Sequence, residues 1–210
     1  MKVLKVPTDF FDPRILTDEE LFCLEGCRGY KQYYAMRQGF ENGNCAFCTV
    51  NTELNVVVWE DEFMRVWHVH PKFMRPELKL HILIAPKRHV RFLADLSVSE
   101  WVSLGCATEF AKKHFEYTGG LFHAREGDMR NNAGTVPHLH INIFEPNGIE
   151  EVRVPVFKDP KDRAENIARA SRFAHLYEIG MPPDQFEAKV AAGHYTKDGQ
   201  KTQPPGHTSC

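Results

Sequence analysis

His138-Leu139-His140-Ile141-Asn142 decides the reading of this chain. Two histidines and an amide alternate with apolar residues, so on a β-strand all three polar side chains leave one face. A turn-prone run, Asn131-Asn132-Ala133-Gly134-Thr135, precedes the stretch, and Pro146-Asn147-Gly148 follows it. Polar groups aimed from a rigid strand into one space suit a site better than a core. Imidazole can ligate a metal, move a proton or attack an electrophile.

Working outward, the chain reads as α+β. Residues 54–59 and 63–69 alternate as a hairpin turning near Glu60-Asp61-Glu62, and 80–85 is a further strand stopped by Pro86. Ser97 or Ser99 caps a helix running to about Tyr117, with Trp101, Leu104, Thr108 and Phe115 near one face and Gly119-Gly120 ending it. Residues 121–124 and the His138 stretch complete an antiparallel sheet. A helix start is expected at Thr17-Asp18-Glu19-Glu20, a strand at 152–157 and a helix at 160–179. Beyond Gly180 the chain is polar and rich in Pro and Gly, and residues 197–210 are expected to be mobile. Three regions follow: an N-terminal extension (1–40), a central domain (41–150) and a C-terminal strand-helix extension with a tail (151–210).

Composition narrows the function classes. In 210 residues the formal net charge is −2, so no bulk field favours nucleic acid or an anionic membrane. Aromatics at 11% argue against disorder. No apolar run reaches a membrane-spanning length, and the opening residues break at Pro7 and Asp9, too early for a signal peptide. A cytoplasmic protein is expected. The six cysteines therefore read as thiols. Cys45-Ala46-Phe47-Cys48 has the spacing of a metal-binding pair, with Cys23, Cys27, His68 and His70 as rival ligands. Cys23 and Cys27 otherwise read as one buried stripe, and Cys106 as core.

The segments His81-Ile82-Leu83-Ile84-Ala85-Pro86-Lys87-Arg88-His89-Val90, Phe92-Leu93-Ala94-Asp95-Leu96-Ser97 and Gly134-Thr135-Val136-Pro137-His138-Leu139-His140-Ile141-Asn142 resemble the histidine-triad (HIT) superfamily. The likeness spans residues 41–149 and implies a HIT-like antiparallel sheet with a central helix packed on it. Asn142 stands where the family has its third histidine. That departure resembles the galactose-1-phosphate uridylyltransferase and dinucleoside-tetraphosphate phosphorylase branch, where the position is glutamine.

The resemblance implies roles residue by residue. His140 is the nucleophile that attacks the α-phosphorus of a nucleotide or nucleotide sugar, giving a nucleotidyl-histidine. Neutral imidazole is chemically suited to this, because it needs no base to activate it near pH 7. Asn142 can donate to a phosphoryl oxygen but cannot carry a proton to the leaving group. His81 packs beneath and orients the pair. Gly134 and Thr135 form a small anion-binding turn. Arg125, or Arg130, holds a phosphate in place of the family's asparagine. His89 and His138 join Cys45 and Cys48 in a closed structural zinc site. No acid follows the second strand, where the family holds the ribose. A homodimer is implied as well. The competing reading is a nucleotide-binding sensor or scaffold without turnover, whose C-terminal basic residues Lys158, Lys161, Arg163, Arg169 and Arg172 would serve a partner.

Overall fold

The computed structural model describes residues 24–42, 45–48, 55–69, 71, 74–129, 134–154 and 160–202. Strands β1 (Asn55–Glu60), β2 (Met64–Val69), β3 (Leu78–Pro86), β4 (Leu121–Arg125) and β5 (His140–Pro146) form one antiparallel sheet in the order β1-β2-β3-β5-β4. The helices are α1 (Tyr30–Glu41), α2 (Val98–Phe115), α3 (Pro160–Glu178) and α4 (Pro183–Ala191). The α+β class, with α2 packed on β1, β2 and β3, is the one expected.

Local chemistry explains the elements. Asp61 Oδ1 accepts the N–H groups of Phe63 and Met64, both at 2.8 Å, which closes the β1–β2 turn. Its Oδ2 accepts the Ser103 hydroxyl at 2.6 Å, tying that turn to α2. Ser97 and Glu100 form a reciprocal capping box at the start of α2. Glu100 also receives a two-pronged Arg88 guanidinium at 2.9 and 2.8 Å, which fixes the loop leading to His89. The helix ends at Glu116, left-handed at φ 50°, ahead of the expected glycines. Gly120 serves instead a close approach: a Cβ there would lie 2.2 Å from the Phe144 carbonyl oxygen.

Alternation in the central strands sorts two faces. Val66, Ile82, Ile84, Ile141 and Ile143 bury against Leu104, Ala107 and Ala111 of α2. Each fully buried Ile contributes roughly 1.5–3 kcal/mol. The other face carries Trp67, His81, Leu83, His140 and Asn142, with Leu83 opposite both Trp67 and Asn142. A second apolar cluster joins chain regions distant in sequence: Tyr30 and Tyr33 of α1 pack on Phe173, Leu176 and Phe186, with Cys27, Cys45 and Val136 at its edge. The Tyr30 hydroxyl donates to the Met181 carbonyl at 2.7 Å.

Several expectations need correction. Residues 151–154 hold no strand, and 155–157 lie outside the described residues. Trp101 is 47% exposed, because Leu104, Ala107 and Ala111 already fill the space against the sheet. Cys106 is exposed, one position off the buried Ala107. The polar stretch after Gly180 contains α4, which buries Phe186. The Thr17 helix start, Cys23, His70, Arg130 and residues 203–210 lie outside the described residues. Among the basic C-terminal residues, Arg169 donates to the Cys27 carbonyl and Arg172 to the Asp198 carbonyl, so both serve internal contacts.

Candidate functional site

Strand β5 begins at His140 and not earlier. His138 lies in the bend before it, its N–H donating to the Val136 carbonyl at 2.8 Å. The next residue, Leu139, donates to the Val90 carbonyl at 2.7 Å, which draws the His89 segment alongside. The rings of His89 and His138 stand edge-on, 5.0 Å apart. Strict alternation over 138–142 therefore holds only from His140 onward.

That bend delivers His138 to the Cys-x-x-Cys turn. Its Nδ1 lies 3.4 Å from Cys45 Sγ and 3.5 Å from Cys48 Sγ, and His89 Nδ1 lies 3.4 Å from Cys48 Sγ. All four ligand atoms fall within 4.8 Å of one another. A tetrahedral ion with ordinary sulfur and nitrogen bond lengths would space such S and N atoms by roughly 3.6 Å. The donor set and its spacing therefore fit a metal. His138 is prepared for it: its Nε2–H donates to the Pro86 carbonyl at 2.9 Å, leaving Nδ1 unprotonated towards the thiols. Burial pushes its pKa down to about 4, so the ring is neutral. Burial and the neighbouring Cys45 push the Cys48 thiol up to about 12, a penalty that a bound cation would reverse. Arg65 holds the turn by donating to the Cys48 carbonyl at 3.1 Å. His68, a rival ligand, lies instead against Phe115 of α2, with ring centroids 5.8 Å apart.

Phe47, inside the same turn, roofs the next residue of interest. Its ring stands 4.9 Å from that of His140 and 5.4 Å from that of Trp67. His140 is 7% exposed, and its Nδ1–H donates to the His138 carbonyl at 2.7 Å. Nε2 therefore carries the lone pair. Burial, opposed only in part by the hydrogen bond to His138, lowers its pKa to about 3. A neutral ring with a free Nε2 lone pair has the chemistry to serve as a nucleophile or a metal ligand and carries no proton at Nε2 to donate.

Asn142 lies one step further along β5. Its Oδ1 accepts the His81 Nε2–H at 2.9 Å, and its Nδ2 donates to the His123 carbonyl at 3.4 Å. His81 thus reaches Asn142 from the neighbouring strand, its pKa lowered to about 4 by burial. Arg125 ends β4 directly opposite His140 in register. Burial and Arg28 lower its pKa, and its charge in turn disfavours protonation of His140, His81 and His123. Gly134 and Thr135 lie beside the Leu24–Gly26 turn: a Cβ on Gly26 would fall 2.6 Å from Thr135 Cγ2 and 2.8 Å from the Gly134 oxygen.

The structure thus gathers the ten sequence-derived residues into two adjoining groups. Cys45, Cys48, His89 and His138 form one. His140, Asn142, His81 and Arg125 form the other, with Gly134 and Thr135 in the loop that leads to His138. Sequence reading missed Phe47, Arg28 and His123. Arg28 acts electrostatically on both His81 and Arg125, and also lines a cavity of about 500 Å³ with Arg75, Arg153 and Val154. The position of Phe47 inside the Cys-x-x-Cys was a usable signal. Arg28 had none, because its place depends on how the N-terminal turn packs.

No family model matches the chain. The bis(5'-adenosyl)-triphosphatase of Dictyostelium discoideum is 28% identical over 116 residues, covering 50% of this chain and 76% of that protein. A solved HIT family hydrolase from Legionella pneumophila Philadelphia 1 is 23% identical, covering 53% of this chain and 98% of its own, at a TM-score of 0.38. A zinc-bound histidine triad family protein from Mycobacterium smegmatis is 20% identical, covering 64% of this chain and 96% of its own, also at 0.38.

Proposed function

We propose that this chain is a member of the histidine-triad superfamily that hydrolyses or transfers nucleotidyl groups from a nucleoside phosphate anhydride or ester. The observation that carries the reading is the hydrogen bond from His140 Nδ1–H to the His138 carbonyl. It fixes one tautomer and presents Nε2 as a nucleophile. The 28% identity to a bis(5'-adenosyl)-triphosphatase supports the reading and points to dinucleoside polyphosphates as a substrate class to try first.

In the proposed reaction, His140 Nε2 attacks the α-phosphorus and the bond to the leaving oxygen breaks, giving a nucleotidyl-histidine. Arg125, opposite His140, offsets the phosphoryl charge. Thr135 and Gly134 supply the anion-binding turn. Water or a second substrate then takes the nucleotidyl group. Asn142 in the third position is the feature that leans towards the uridylyltransferase and phosphorylase branch, in which transfer competes with hydrolysis. Cys45, Cys48, His89 and His138 hold a zinc whose work is structural, since four protein ligands leave no open position for water. The setting we propose is the cytoplasm and the assembly a homodimer. Among the described residues no helix is long and apolar enough to cross a membrane.

The test is turnover of dinucleoside polyphosphates and nucleoside diphosphate sugars, followed by phosphorus NMR. The reading predicts nucleoside monophosphate or a transferred nucleotidyl group, and a loss of about 10³-fold or more in kcat/KM for His140→Ala. Tight binding with no product from any of them would favour the sensor reading instead.

A further inference from the structure

His123 stands on β4 directly opposite Asn142, so both side chains rise from the same face of the sheet. Its Nε2 is buried and has no hydrogen-bond partner among the described residues. Buried polar atoms in native folds are almost always paired, so an orphan beside a site calls for an explanation. His123 lies close enough to His140 to depress its protonation, and Arg125 does the same to His123. Asn142 meanwhile is committed at both ends, to His81 and to the His123 main chain. An amide can deliver no proton in any case.

We propose that His123 Nε2 meets the leaving oxygen of the substrate and supplies the proton that Asn142 cannot. The proposal rests on the reading of His140 as nucleophile. The negative charge of the phosphate offsets burial and the Arg125 charge, and His123 takes a proton from solvent on binding. As His140 Nε2 forms the N–P bond and the P–O bond breaks, the electron pair leaves with the oxygen. His123 transfers its Nε2 proton to that oxygen and returns to neutral imidazole. In the second half, the water that attacks phosphorus gives its proton to His123, and the N–P electron pair returns to His140.

The experiment uses the full chain and esters of one nucleotide whose leaving groups are graded in basicity, from a simple alcohol to p-nitrophenol. The wild-type rates should vary little along the series. His123→Ala and the bulkier His123→Gln should lose about 10²-fold or more with the alcohol ester and only a few-fold with p-nitrophenolate, which departs without a proton. Thermal melts close to wild type in either variant establish that it is folded. An equal loss at both ends of the series, or no loss, overturns the proposal. A wild-type protein that turns over none of the esters, while His140 takes up no nucleotidyl group, removes the nucleophile reading and the proposal with it.

Discussion

The main-chain carbonyl of His138 accepts the Nδ1–H of His140 at 2.7 Å, while the ring of His138 turns its own Nδ1 towards Cys45 and Cys48. One residue therefore joins the candidate metal centre to the candidate nucleophile. Whatever holds the His138 ring also holds the carbonyl that sets the His140 tautomer.

Metal loss should therefore reach the chemistry. Metal analysis of the purified protein is expected to find about one zinc per chain. Cys45→Ala and His89→Ala should release it, lower the melting temperature and reduce turnover, although neither residue is placed to touch substrate. Metal-free protein with an unchanged melting temperature and full activity would contradict the link.

His81 makes stability depend on pH in a defined window. Its pKa falls from 6.5 to about 4 on folding, chiefly through burial. Above the higher value both states are neutral and pH has no effect through this group. Below it the unfolded chain binds a proton that the folded protein refuses, so stability falls as pH drops towards 4 and levels off beneath. The loss is on the order of 3 kcal/mol from this group. His81→Gln, which can still donate to Asn142, should make that part of the curve shallower in urea unfolding at stepped pH, leaving the share that His138 and His140 carry over the same range. An unchanged slope would show that His81 does not carry it.

The Ser97–Glu100 box fixes both α2 and the loop to His89. Ser97→Ala should cost about 1 kcal/mol in chemical denaturation. Glu100→Gln should cost more, because it breaks the Arg88 fork and leaves polar atoms buried. The Arg88 contact holds the Glu100 carboxyl down to about 2. This second contribution is present above the ordinary carboxylate value and disappears as pH falls through about 2.

Gly26 marks where the N-terminal turn meets the loop of Gly134 and Thr135. Gly26→Ala would place a methyl 2.8 Å from the Gly134 carbonyl oxygen, so one backbone must yield. Such overpacking costs about 1–3 kcal/mol. If this loop binds phosphate, KM should rise more than kcat falls. A variant with only a lowered melting temperature would place the loop outside the substrate site.

What was legible in the sequence follows from periodicity and spacing. The alternation of His138, His140 and Asn142 with apolar residues, and the strand runs at 54–59, 63–69, 80–85 and 121–124, announced the sheet. Ser97, one of two candidate caps, announced α2. Cys45 and Cys48 announced a metal pair. Tertiary context decided the rest. Helix α4 was hidden because a short run around Phe186 buries one large side chain against α1 and α3. Cys106 was misread because a cysteine suits either side of a helix. His123 passed unnoticed because Leu121-Phe122-His123-Ala124-Arg125 is an ordinary strand, until register set it against Asn142.

The central claim is that His140 Nε2 bonds covalently to phosphorus during turnover. The direct measurement is intact-protein and peptide mass spectrometry after rapid acid-free quenching with a dinucleoside polyphosphate. The account predicts one nucleotidyl group per chain, acid-labile, on the peptide that contains His140, and none in His140→Ala. Turnover that persists in that variant, or an adduct carried by any other residue, would contradict it.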